Sequence, residues 1–407
     1  MDVRITPARL SGQVVPPPSK SQSHRLLIAA ALACGKSVIK NVAFSQDTEA
    51  TLRCINALGA KWECGNGELS VCGCGGKGTD GPLPSFDCGE SGSTLRFMIP
   101  ISLAVSGGGT FTGGGRLLER PLGPYADLFQ EKGVSFELSA NALTVKGRLE
   151  AGTYRLPGNV SSQFFTGLLF ALPLLGGRSE ILSTTEIESS AYIDMTLDAL
   201  SCAGVDVEAT RGETAGFVVP GVPYRPFART VEADWSQAAF WYAANCLGST
   251  LDIGGLNFRS SQGDRAVSDF AAALSRPGDI DIDLSGCPDL APPLSVMAAV
   301  RNGNTRFYNA ARLRLKESDR LYAISKMLSA LGVRISEGAD SLTVTGAQSL
   351  RGCTIDGYGD HRIVMAAAIA ATRADGPVTI LGAEAVKKSY PDFFADYKKL
   401  GGITDVI

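Results

Sequence analysis

The sequence predicts a mixed α/β protein of two domains built from six similar units. Three observations predict it. The chain has 407 residues, more than one core ordinarily holds. An apolar, helix-like stretch ending in glycine and followed by two short alternating segments recurs at Gly59, Gly133, Gly204 and Gly332, and restarts at Gly401. The spacings are 74, 71, 128 and 69 residues, and the long gap holds room for one more copy, DFAAALSRPGDIDIDLSG. Six units of about 68 residues fall into two groups of three, because a unit this small cannot close a core alone.

Each element has a local reason. The glycine after each helix is expected at C′, where the left-handed conformation is cheap only without a Cβ. The paired segments read as hairpins, turning on Gly65-Asn66-Gly67 in the first copy and Ser139-Ala140-Asn141 in the second. GKSVIKNV and GGRSEILS supply further strands between the helices.

Composition narrows the function. With 44% hydrophobic and 19% charged residues the chain reads as globular, and a net charge of −3 gives no overall attraction for nucleic acid or anionic membranes. MDVRITPARL lacks the apolar core of a signal peptide, and no run reaches the roughly 18 apolar residues of a membrane span. A cytoplasmic protein, or the mature form of a plastid one, is expected. The ten cysteines are scattered; only Cys72 and Cys74 sit close, and no histidine completes a metal site. They are expected to be buried free thiols in a reducing compartment. Gly73–Gly78 matches G-x-G-x-x-G, but Thr-Asp-Gly-Pro-Leu-Pro follows, which cannot open the helix a dinucleotide needs.

The cations gather at expected helix starts. PPPSKSQSHRLLIAAALACG places Lys20, Ser21, Ser23 and Arg25 where free N–H groups and the helix dipole favour an anion. A capped helix with solvated charges would look the same. Similar starts follow: CGESGSTLRF with Gly92, Arg120 before Pro121, and Ser161, Ser162 and Gln163 in NVSSQFFTGLLF. RLRLKESDRLYAI holds Lys316, Glu317 and Arg320; YGDHRIVM holds Asp360, His361 and Arg362; VKKSYPDFF holds Lys387 and Lys388. Seven such places in an acidic chain suggest a cleft for small, multiply anionic ligands. Asp289, in CPDLAPPLSV, is either a helix N-cap or a proton carrier beside the cations.

KSQSHR, GESGSTLR, ERPLGP, VSSQF, SSAYIDMT, PDLAP, RLKESDR, GDHR and KKSYPDF, in this order and spacing, resemble the 5-enolpyruvylshikimate-3-phosphate synthase family over nearly the whole chain. The resemblance implies a two-domain inside-out α/β barrel, each domain of three βαβαββ repeats, with the ligand cleft between domains. One domain would be discontinuous, 1–18 plus 233–407, against 19–232. It implies transfer of the enolpyruvyl group of phosphoenolpyruvate to the 5-hydroxyl of shikimate 3-phosphate, without metal or cofactor. A monomer is expected, because repeat domains that close on a ligand usually need no partner. Catalysis would fall to Asp289, Glu317 and Lys20. Shikimate 3-phosphate would be held by Lys20, Ser21, Arg25, Ser161, Ser162, Gln163, Ser189, Asp289 and Lys316. Phosphoenolpyruvate would be held by Lys20, Gly92, Arg120, Gln163, Arg320, Arg362 and Lys388. The family is the target of glyphosate, which occupies the phosphoenolpyruvate site. Departures from the family pattern are Glu90 and Phe97, flanking Gly92, and Arg312.

Two rivals are weighed. The sister enzyme acting on UDP-N-acetylglucosamine uses a loop cysteine five residues before an arginine; Gly115 stands there, and no cysteine lies between 88 and 202. A non-catalytic repeat clamp on nucleic acid would need a basic stripe and stacking aromatics, and only 7% of residues are aromatic.

Overall fold

The computed structural model describes residues 1–65, 67–78, 81–210 and 215–407. The chain divides into two compact units: Met1–Pro17 with Ala233–Ile407, and Pro18–Glu232. Pro18 thus goes with the continuous unit. The hairpin turn expected at Asn66, and the 211–214 stretch of the third copy, lie outside the described residues.

The chain opens with β1 (Val3–Thr6) and β2 (Ser11–Val14), whose sheet partners come much later. The continuous unit follows. Its first repeat is α1 (Lys20–Leu32), β3 (Cys34–Lys40), α2 (Gln46–Ala57), β4 (Lys61–Gly65) and β5 (Glu68–Cys74). The second is β6 (Ser85–Asp87), α3 (Gly92–Ser106), β7 (Gly108–Thr112), α4 (Gly123–Glu131), β8 (Ser135–Leu138) and β9 (Leu143–Lys146). The third is β10 (Thr153–Leu156), α5 (Ser162–Ala171), β11 (Ser179–Ser183), α6 (Ser190–Cys202), β12 (Glu208–Thr210) and β13 (Gly216–Val219). Then β14 (Ala228–Thr230) returns to pair in parallel with β3 and completes the first repeat. Each repeat is a four-stranded sheet in which a parallel pair joins an antiparallel hairpin, as in β6-β7-β9-β8.

The discontinuous unit repeats the plan with changes at its ends. It contains α7 (Trp235–Cys246), β15 (Thr250–Ile253), α8 (Val267–Leu274), β16 (Ile280–Asp283), α9 (Ala291–Ala299), β17 (Asn304–Tyr308), α10 (Arg320–Ala330), β18 (Arg334–Glu337) and β19 (Leu342–Thr345). It ends with β20 (Thr354–Asp356), α11 (His361–Ala371), β21 (Val378–Leu381), α12 (Phe393–Lys399) and β22 (Ile403–Val406). The N-terminal β1 inserts between β21 and β22, so the restart at Gly401 closes the last repeat and begins no new one. The degenerate copy has no hairpin of its own. Residues 275–279 alone separate α8 from β16, too few for one, and β16 opens the next repeat, leaving β2 and β15 as a two-stranded sheet.

Burial separates two kinds of helix. The first helix of each repeat, α1, α3 and α5 in one unit and α7, α9 and α11 in the other, is buried over nearly its whole length. These helices are apolar or alanine-rich all round, which suits a helix only in an interior. Many strands alternate buried and less buried residues, as β9, β17 and β19 do, while β4 and β14 are exposed throughout. In each unit, then, helices fill the middle and sheets coat it with one face to water. Gly59, Gly133, Gly204, Gly332 and Gly401 all take positive φ after their helices.

One break in a central helix is repaired from outside. Pro100 lies within α3 and cannot donate to the Arg96 carbonyl. The Tyr125 hydroxyl lies 3.1 Å from that carbonyl and 2.8 Å from the Phe164 carbonyl of α5, so its single proton is shared between the two helices. Gly167 lets α5 come this close: a Cβ there would lie 2.6 Å from the Arg96 carbonyl oxygen.

The cysteines are all free, but not all buried. Cys34, Cys64 and Cys72 are exposed, and Cys54, Cys88 and Cys287 are fully buried. Cys34, Cys64 and Cys72 lie on β3, β4 and β5, of which one face meets water.

Candidate active site

In the continuous unit the starts of α1, α3 and α5 carry the expected residues. Ser19 caps α1, its hydroxyl accepting from the Gln22 N–H, which leaves Lys20 at the first helical position. Lys20 pairs at 2.7 Å with Asp47 in the first turn of α2. Arg25, one turn on, is 2% exposed. It donates to the Thr196 hydroxyl and to the carbonyls of Ser21 and Tyr192, at 2.8–2.9 Å. These acceptors are all neutral, and burial pulls its pKa down to about 10. A phosphate beside it would restore the missing charge balance.

Ser91 caps α3, placing Gly92 first in that helix. Ser161 caps α5, followed by Ser162 and Gln163. Gln163 joins the two helices: its amide donates to Ser93 Oγ at 2.9 Å, and its oxygen accepts from Arg96 at 2.7 Å. Arg96 also donates to the Pro121 carbonyl. Arg120 is not at a helix start as expected. It follows a 3-10 turn, Leu117–Glu119, and α4 begins only at Gly123, with Pro124 as its early proline. Its guanidinium instead lies against Gly92, where a Cβ would meet Arg120 Cζ at 2.7 Å. Ser189 precedes α6 at φ +57° and makes no side-chain cap. Phe97 does not flank the Gly92 loop: it is fully buried against Phe170 and lies under the Arg25 guanidinium.

In the discontinuous unit the charges form a dense network. Asp289 sits in a 3-10 turn just before α9 and caps nothing, since Leu290 holds the cap position without a side-chain bond. Its carboxylate instead meets Arg320 at 2.8 Å, Arg362 at 3.0 Å and Lys316 at 3.3 Å. Arg320 also meets Glu317 at 2.7 Å and Asp360 at 2.8 Å. It is 1% exposed; burial works against its charge, but Asp360, Glu317 and Asp289 outweigh this and raise its pKa. Asp360 caps α11 by accepting from the Arg362 N–H. Burial would raise the Asp360 pKa, and the Arg320 charge prevails to lower it. Lys316 is shifted down by desolvation, against the pull of Asp289. Lys388 is not just ahead of a helix but ends a 3-10 stretch, Ala383–Lys388, and donates to the Gly359 carbonyl at 2.8 Å. Arg312 donates to the Ser285 carbonyl.

Behind this network lies Asp264, 4% exposed and accepting from the Ser236 hydroxyl. Burial first, then the charge of Asp289, raises its pKa to about 6. A carboxyl that holds its proton more tightly when folded contributes stability below its ordinary pKa and loses it as pH rises to about 6. Asp264→Asn is therefore expected to gain on the wild type in Tm as pH rises from 4.5 to 8. A difference in Tm that does not change with pH would refute this.

Among the described residues, no cluster of three or more His, Cys, Asp or Glu could hold a metal, and no helix is long and apolar enough to cross a membrane.

Comparison with known proteins decides the family. The family model for EPSP synthase (3-phosphoshikimate 1-carboxyvinyltransferase) matches residues 5–397. The 3-phosphoshikimate 1-carboxyvinyltransferase of Clostridium kluyveri is 43% identical, with 99% of this chain and 98% of that protein covered. This chain belongs to the EPSP synthase family. The relative from Clostridium acetobutylicum is 42% identical over 98% of the chain and 97% of its own length. The EPSP synthase structure from Acinetobacter baumannii matches at TM-score 0.80 and 24% identity, covering all of both chains. The enolpyruvyl transferase NikO from Streptomyces tendae matches at TM-score 0.75 and 18% identity, over 99% of this chain and 98% of that one. These likenesses show the two-domain inside-out α/β fold.

Several residues of this EPSP synthase family member escaped the sequence reading. Asp47, Arg96 and Asp264 act as partners, holding Lys20, Gln163 and Ser236. Asp360 lay in the GDHR motif, but its grip on Arg320, forty positions away, leaves no mark on local sequence.

Proposed function

We propose that the chain transfers the enolpyruvyl group of phosphoenolpyruvate to the 5-hydroxyl of shikimate 3-phosphate, releasing phosphate. This step leads to chorismate and the aromatic amino acids. The observation that carries it is Asp289, a carboxylate held by Lys316, Arg320 and Arg362 in a chain of this family.

Lys20, Ser21, Arg25, Ser161, Ser162 and Ser189 hold shikimate 3-phosphate, with Arg25 answering its phosphate. Lys20, Gly92, Arg120, Arg320, Arg362 and Lys388 hold phosphoenolpyruvate, and Gln163 lies at both ligands. The incoming phosphate and carboxylate draw Arg320 and Arg362 away from Asp289, which becomes free to act as a base. Asp289, with Lys316 beside it, takes the 5-hydroxyl proton as the oxygen bonds to C2 of phosphoenolpyruvate. Glu317 protonates the methylene carbon, giving a tetrahedral adduct. Loss of that proton and of phosphate restores the double bond. Preorganised cations stabilise charge where it develops, which is usually the largest catalytic contribution.

Phosphate release by the purified chain should require both substrates together. Release with phosphoenolpyruvate and UDP-N-acetylglucosamine instead would overturn the reading. We further place the enzyme in the cytoplasm as a monomer, each unit having its own core. Light scattering should give a mass near 42.6 kDa.

A further inference from the structure

A buried line of hydrogen bonds runs between the starts of α1 and α3. His24 Nδ1 lies 2.6 Å from the Thr51 hydroxyl of α2, and Thr51 Oγ1 lies 2.7 Å from Thr94 Oγ1. Thr94 donates its hydroxyl to Ser91 Oγ at 2.8 Å, and its backbone N–H to the same oxygen at 3.2 Å. None of the four side chains is more than 1% exposed.

The line has a direction. Because Thr94 donates to Ser91, it accepts from Thr51, and Thr51 in turn accepts from His24 Nδ1–H. His24 stays uncharged: burial, then Lys20 and Arg25, hold its pKa well below the usual value. Its other nitrogen, Nε2, is buried and has no hydrogen-bond partner among the described residues. The ring is thus committed to this one line.

Its ends mark its purpose. It begins four residues after Lys20 and ends at the cap residue immediately before Gly92. Apolar side chains would pack these helices as tightly without any polar group to satisfy. What a continuous, directed polar line adds is a fixed height and rotation of one helix start against another. Lys20 comes from α1 and Gly92 from α3, and an anion held by both senses any slip between them.

We propose that the His24–Thr51–Thr94–Ser91 line is a positioning device: it fixes the α3 start against α1 and so sets the affinity for phosphoenolpyruvate without touching it. This rests on the assignment of Lys20 and Gly92 to phosphoenolpyruvate made above.

The test uses the full chain with Thr51→Val, Thr94→Val and Thr51→Ser, in steady-state phosphate release with each substrate varied in turn. Either valine variant should raise KM for phosphoenolpyruvate about tenfold, the weight of one buried hydrogen bond. Turnover should stay within about threefold and KM for shikimate 3-phosphate within about twofold of the wild type. Thr51→Ser keeps the hydroxyl and should restore the wild-type KM. The proposal is overturned by an unmoved phosphoenolpyruvate KM, by equal loss for both substrates, or by a serine variant as poor as the valine one. It is also overturned if both valine variants fail to fold while Thr51→Ser behaves normally, for then the line serves folding alone. A wild type that releases no phosphate overturns the functional reading and this proposal with it; an active wild type with unmoved variants overturns this proposal alone.

Discussion

Asp289→Asn is expected to leave the fold intact and to lower turnover by about 10²-fold or more, the weight of a positioned proton transfer. The structure sharpens this expectation. Asp289 is not the cap residue of α9, whose cap position is held by Leu290. Arg320 keeps Glu317 and Asp360, so the network does not collapse with it. What is lost is a carboxylate shared by Lys316, Arg320 and Arg362. An amide cannot take the hydroxyl proton, and its NH2 group meets donors in place of an anion. The variant should therefore bind shikimate 3-phosphate, measured by calorimetry, yet turn over slowly. Near-normal turnover would remove Asp289 from the proton path.

Gly92→Ala should have the next largest effect, and an unequal one. The wild type, with glycine at this position, is expected to be inhibited by glyphosate. A methyl group at Gly92 would overlap the Arg120 guanidinium, the movable end of a long side chain. Arg120 must then shift, and in the proposed site it shifts away from phosphoenolpyruvate. Glyphosate is longer than phosphoenolpyruvate and meets the methyl group as well as the displaced arginine. An added carbon in a fitted pocket is worth about 10- to 200-fold. We expect glyphosate inhibition to weaken by about 10²-fold and KM for phosphoenolpyruvate to rise by about tenfold. Inhibition curves at fixed phosphoenolpyruvate for both proteins read this directly. Of the two departures beside Gly92, Phe97 faces the core under Arg25, so Glu90, packed against Gly115, is the one left to alter the loop. A wild type insensitive at millimolar glyphosate would show that Glu90 outweighs the glycine.

The repeat and the helix starts were legible in sequence because their causes are local. A glycine follows a helix that turns into a strand, and hydroxyls or charges before an apolar run mark a helix start, so Gly59, Gly133, Gly204 and Gly332 and the starts at Ser161 and Asp360 were legible, while the N-cap weighed for Asp289 was not one. The all-apolar first helix of each repeat likewise signals an interior place. Tertiary structure alone decided which chain segment closes each sheet, since β1 and β14 join strands far away in sequence. It alone decided that Arg120 presses on Gly92, and that Asp289 gathers three cations from two other motifs. It also drew His24, Thr51 and Thr94 into one line. Charge pairing and hydrogen bonding act through space at about 3 Å. They leave no period or spacing in the sequence, and only the packed chain shows which partner each residue has.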